Sequence, residues 1–179
     1  MTPFESRCLD AFPNWLRALG QDTRQLAAIA ENRELALGAR RPAAIAVNYL
    51  FKSLDLIPDG LEDLGFIDDA FVFRVAAAAA AAGDAHADSS GTLRRLADEA
   101  ALVREFLGDV YPKLEAYVLG LEETAARGRK VSEVLSNESV SADFARDARQ
   151  WADGFQAPSF LKDEKNLVKL RSFLAARLK

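Results

Sequence analysis

Residues 67–83 read Ile-Asp-Asp-Ala-Phe-Val-Phe-Arg-Val, then seven alanines from Ala76 to Ala82, then Gly83. Alanine has the best helix propensity and almost no side-chain bulk, so a neighbouring helix can approach such a run closely. With Phe66, Ile67, Phe71 and Val75, the run predicts a buried helix that Asp68 caps and that reaches Gly83. Before it, an apolar stretch from about Pro42 to Leu54 predicts another helix, and the two are expected to pair as a central antiparallel hairpin. After it, Leu93, Leu96, Ala100, Val103, Leu107, Val110, Leu114, Tyr117 and Leu121 recur at spacings of three and four. That seam predicts one long helix, kinked but not broken where the Pro112 ring presses on the Gly108 carbonyl.

The flanks read the same way. Thr2-Pro3-Phe4-Glu5 has the form of a capping box with proline at the first helical position, opening a helix that Pro13 bends or restarts. Asp22 is expected to cap a helix carrying Leu26, Ile29, Ala30 and Arg33 that ends near Gly38. Ser132 to Asn137 suits a short helix, and Ser141 is expected to cap another with Phe144, Ala148 and Trp151, stopped by Gly154 and Pro158. Asp163 then caps a tail helix with Leu167, Leu170, Leu174 and Leu178 on one face and Lys162, Lys165, Lys169 and Arg177 around it. No stretch reads as a strand, and there is no internal repeat or low-complexity linker. The expected fold is all-α: a single compact helical bundle of about seven helices over residues 1–179, with its hairpin core at about 40–83.

Composition excludes several classes. Of 179 residues, 50% are apolar and 28% charged, the balance of an ordinary globular chain. The longest stretch without Asp, Glu, Lys or Arg is ten residues, Pro42 to Phe51, whereas a membrane-spanning helix needs about 20. Glu5, Arg7 and Asp10 stand where a secretory signal would be apolar, so the expected location is the cytoplasm. Cys8 and His86 are the single cysteine and single histidine, which excludes an internal disulfide and zinc sites built mainly of these residues. Residues 160–179 sum to +4 in a chain of net charge −4, leaving −8 elsewhere. An acidic body with a basic tail argues against a broad nucleic-acid surface.

The acidic turn between the hairpin helices carries the functional question. Asp55, Asp59, Glu62, Asp63, Asp68 and Asp69 fall within fifteen residues that contain no basic one. Proline disfavours helix in the residue before it, so the preceding helix must end by about Leu56. Pro58 then suits the start of a short helix, with Asp59 and Glu62 at its positive end and Gly65 closing it in a left-handed conformation. Asp55 has no obvious local amide, because the residue three positions on is Pro58.

The order Asp55-Leu56-Ile57-Pro58-Asp59, then Gly65-Phe66-Ile67-Asp68-Asp69, resembles the signature of the YkvA-like family of unknown function, small helical bacterial proteins. The resemblance covers roughly residues 40–83. Leu54 and Glu62 stand where the family usually has prolines. It implies a helical hairpin and supplies no established activity or catalytic residues.

These residues support a first expectation, a non-enzymatic helical protein acting through contacts with a protein partner. The alternative is a divalent-metal-binding protein or metal-dependent hydrolase, in which Asp55, Asp59, Asp68 and Asp69 converge on Mg²⁺ or Ca²⁺. No EF-hand spacing and no Glu-x-x-His pair is present. A further alternative is peripheral membrane contact through the basic C-terminal helix. His86 with Ser89 or Ser90 lacks the glycine pattern of a nucleophile elbow, and Cys8, spaced from Phe4 and Phe12 as on one helix face, reads as a core residue. Arg74, in an apolar helix, is expected to be buried and paired with Asp55, Asp68 or Asp69. On that expectation Asp55, Pro58, Asp59, Gly65, Asp68, Asp69 and Arg74 form an architectural motif.

Overall fold

The computed structural model describes residues 1–53, 55–80 and 91–179. Its α-helices are α1 (Pro3–Glu31), α2 (Leu37–Leu50), α3 (Ile67–Ala80), α4 (Thr92–Leu107), α5 (Tyr111–Gly120), α6 (Val131–Ser136), α7 (Glu138–Gly154) and α8 (Glu164–Arg177). Among the described residues there is no strand, only an isolated bridge between Ala126 and Arg129. The fold is an all-α bundle. Its centre is α3, which packs against α1, α2, α4 and α5. Helices α2 and α3 run antiparallel: Tyr49 at the end of α2 meets Asp68 at the start of α3. At their other ends, Pro42 and Ile45 face Ala76 and Ala79 across a shared apolar cavity.

Several boundaries differ from those expected. The Thr2–Glu5 capping box forms, but α1 then runs unbroken through Pro13 to Glu31, so Asp22 is a buried mid-helix residue and not a cap. An interior proline costs about 3 kcal/mol. Here burial of Phe12, Trp15, Leu16 and Leu19 on either side of it offsets that cost. Gly38 lies inside α2, which starts five residues before Pro42 and ends at Leu50. Asn137, not Ser141, caps α7 by accepting from the Val140 amide, and Ser141 is buried one turn in. Asp163 caps α8 as expected.

The long seam is divided. A 3₁₀ turn at Gly108–Val110 separates α4 from α5, and Gly108 takes φ +53°. Pro112 has no N–H to offer the preceding turn, so it occupies a helix start, where none is needed. Leu93, Leu96, Ala100, Val103 and Leu107 are buried on α4, but Tyr111 and Val118 replace Val110 and Tyr117 as the buried positions on α5.

Phe12 ties the elements together. Its ring meets Phe71 of α3 and Phe106 of α4 edge-on at 5.1 Å each, Trp15 at 5.2 Å, and Phe160 ahead of α8 at 6.1 Å. Cys8 joins the same core, where burial pushes its thiol up to about 11. Phe12→Ala is expected to destabilise the fold by roughly 3–5 kcal/mol, the usual cost of emptying a buried aromatic site. Urea unfolding followed by circular dichroism measures it.

Candidate functional site

The acidic turn holds its shape without a helix of its own. Leu61 N–H donates to the Pro58 carbonyl at 3.0 Å, and the Leu64 and Gly65 amides both donate to the Leu61 carbonyl, at 3.2 and 2.8 Å. The expected short helix after Pro58 is therefore absent, replaced by consecutive tight turns. The left-handed residues are Asp63 (φ 63°) and Phe66 (φ 65°), not Gly65. What Gly65 supplies is proximity, since a Cβ there would stand 2.1 Å from the Asp59 carbonyl oxygen. Phe66 tolerates its strained backbone because its ring packs edge-on against Phe155 and Trp151 at the end of α7. From α8, Asn166 Nδ2 donates to the Asp63 carbonyl at 3.1 Å and fastens the outer side of the turn.

Asp68 closes the inner side. It lies within the first turn of α3 and does not cap it. Its Oδ2 accepts from the Tyr49 hydroxyl at 2.6 Å and from the Ile57 amide at 3.2 Å, while the same hydroxyl accepts from the Leu56 amide at 2.8 Å. One carboxylate thus joins the end of α2, the Leu56–Ile57 segment and the start of α3. Tyr49 was not singled out by sequence. The available signal was a phenol in an otherwise apolar helix, whose buried O–H needs a partner.

The other carboxylates are less well served. Asp69 is 1% exposed and its Oδ2 has no hydrogen-bond partner among the described residues; the same holds for Asp68 Oδ1 and Asp55 Oδ1. Asp59 sits at the solvent side. Burial and mutual repulsion act together. Burial, then Asp59 and Asp68, push Asp55 up to about 7. Burial pushes Asp68 up to about 6, opposed by the Tyr49 and Ile57 hydrogen bonds. Asp69 is raised well above the usual range by burial and by Asp68, Asp59 and Asp55. The four expected residues are therefore within one another's field. Lys52 eases Asp55, but its ammonium is bonded to the Tyr117 hydroxyl. Among the described residues, no three such acidic, histidine or cysteine side chains stand close enough to hold an ion as they are.

Arg74 does not join this cluster. It is fully buried, as expected, but Nη2 lies 2.7 Å from Glu99 on α4, Nη1 donates to the Ala70 carbonyl at 2.8 Å, and the guanidinium stacks 3.9 Å over the Trp15 ring. The axial distance to Asp68 and Asp69 is within reach of an arginine, but the azimuth is not. At 3.6 residues per turn, Arg74 points about 120° away from Asp68 and about 140° away from Asp69. Asp22, paired with Arg95 and nearly buried, adds a second negative charge near Arg74. This network of Asp22, Arg74, Arg95 and Glu99 was invisible in sequence because Asp22, Arg74 and the Arg95–Glu99 pair lie on three different helices. His86, Ser89 and Ser90 lie outside the described residues.

Two outcomes follow from this geometry. Arg74→Ala is expected to cost about 3 kcal/mol by removing the buried cation that faces Glu99 and its contact with Trp15, and by emptying the space the side chain fills, measured by urea unfolding at neutral pH. The acidic turn makes stability fall as pH rises. Asp68 and Asp55, at about 6 and about 7 in the folded chain, keep protons that the unfolded chain releases near pH 4. Between pH 4 and 7 the folded state binds more protons, so the favourable contribution is present below about pH 4 and lost as pH rises through 7. Asp68 alone accounts for on the order of 2–3 kcal/mol. Thermal melts from pH 5 to 8 should show the decline, and Asp69→Asn should flatten it. No family model matches the sequence, and no curated protein or solved structure matches it.

Proposed function

We propose that this chain is a non-enzymatic cytoplasmic helical protein whose acidic turn takes a divalent cation, Mg²⁺ or Ca²⁺, and which works through contacts with a protein partner. The observation that carries the reading is the unpartnered buried carboxylate oxygen of Asp69, beside those of Asp68 and Asp55, with Arg74 turned away to Glu99. Buried carboxylates without a counter-charge keep a proton or take a hard cation through oxygen ligands. Asp55, Asp68 and Asp69 supply the inner oxygens, and Asp59 stands at the solvent side where an ion would enter. Among the described residues no three of these side chains converge as they stand, so binding on this reading moves Asp55 and Asp59 inward.

The ion's role on this reading is architectural. Asp68 already joins α2, the turn and α3 through Tyr49 and Ile57, so a cation on its second oxygen tightens the same junction. The resemblance of this segment to the YkvA-like signature supports treating the hairpin and its turn as one unit.

Calorimetric titration of the full chain with Mg²⁺, Ca²⁺ and Mn²⁺ tests the proposal. Binding is expected at pH 8, with protons released on binding and affinity lost as pH falls through 6, because protons compete for the same oxygens. Asp69→Asn and Asp55→Asn should abolish it while the chain stays folded. Absence of binding at pH 8 to any of the three ions, or unchanged binding by both variants, overturns the proposal.

A further inference from the structure

Helix α8 turns Leu167, Leu170 and Leu174 inward, and all three are buried, as is Leu178 just beyond it. Its outer face is of one charge. Lys165, Lys169, Arg171, Arg177 and Lys179 are all exposed, as is Lys162 just ahead of the helix. The two acidic residues of the segment are engaged elsewhere: Asp163 accepts from the Lys165 amide as the helix cap, and Glu164 pairs with the Met1 amino group at 2.6 Å. The flanking arginines are held against rings, Arg171 over Phe106 and Arg177 over Phe173. Among the described residues, Lys165, Lys169 and Lys179 form no ion pair. At 100° per residue Lys165 and Lys169 point within about 40° of one another on α8, with Val168 between them along the chain, and Lys179 follows beyond the helix end. Val168 is 65% exposed and Leu161, one turn ahead of Lys165, is 55% exposed.

We propose that this outer face of α8 docks on an anionic lipid bilayer. The protein is +4 over residues 160–179 and −8 elsewhere, so a negative surface attracts this face and repels the rest, which sets the orientation. A flat surface touches the lysine row alone, whereas a long polyanion would also meet the acidic body. The exposed Leu161 and Val168 separate a lipid from a nucleic acid. They have no use against phosphate and sugar, and they can enter the boundary between headgroups and acyl chains while lysine stems extend to the headgroups. The proposal is independent of the cation reading, since it uses none of the acidic-turn residues.

Co-sedimentation of the full chain with vesicles tests it, with a chelator present so that no divalent cation bridges protein to lipid. Binding is expected to vesicles of mixed phosphatidylcholine and phosphatidylglycerol at low salt, to weaken with added salt, and to be absent for pure phosphatidylcholine. Combining Lys165→Gln, Lys169→Gln and Lys179→Gln should weaken it about a hundredfold, near fivefold for each charge removed. These side chains are exposed, so circular dichroism should be unchanged. Undiminished binding by that variant, equal binding to pure phosphatidylcholine, vesicle binding only with calcium present, or tighter capture by double-stranded DNA at the same salt overturns the proposal.

Discussion

From Ile67 to Val75, nine consecutive residues of α3 are at most 1% exposed. A helix buried on every side leaves no direction in which a charged side chain can reach water. This stretch nevertheless contains Asp68, Asp69 and Arg74, so each had to be met by something brought from elsewhere in the chain. Asp68 draws in Tyr49 and the Ile57 amide, which fixes where α2 ends and how the turn returns. Arg74 draws in Glu99 and Trp15, which fixes how α4 and α1 lie against α3. The packing of the bundle and the placement of its buried charges are one problem. Asp69 is the member that the fold leaves without an answer.

The two ends of α3 therefore differ in chemistry. Toward Arg74, positive and negative charges alternate through Glu99, Arg95 and Asp22, so each buried charge has an opposite one beside it. Toward Asp68 and Asp69 the charges share one sign, and burial and repulsion act in the same direction. An arginine side chain is long enough to join the two ends, but a helix fixes its direction as firmly as its height. The separation is a consequence of helical pitch, and it leaves an uncompensated cluster a short distance from a compensated one.

Much of the architecture could be read from residue order. The alanine run as far as Ala80, the Thr2 capping box, the Asp163 cap and the leucines of α8 are local signals, and each appears in the structure where the pattern put it, while Ala81 to Gly83 lie outside the described residues. The misreadings also have local causes. Asp22 is a good helix cap by type, but its partner Arg95 is far away in sequence and outweighs that preference. Pro13 reads as a bend or a restart, yet a proline flanked by deeply buried aromatics remains inside a continuous helix. Gly65 reads as a left-handed terminator, whereas the structure uses its missing side chain to bring two backbone segments together. In the turn, the residue types and their order were legible. Their contacts with Tyr49, Asn166 and Trp151 were not, because those lie on three other helices.

The two tryptophans fall on opposite sides of this division. Trp15 lies under the Arg74 guanidinium, and Trp151 is stacked on Phe155 at 4.7 Å with Phe66 edge-on to it. Phe66 immediately precedes the helix that carries Asp68 and Asp69, so the indole of Trp151 is mechanically joined to the acidic turn. The indole of Trp15 is joined to the paired charges instead. The chain thus contains two built-in optical probes, one for each end of its buried helix, and substituting either indole by phenylalanine leaves an emission signal that belongs to the other end alone.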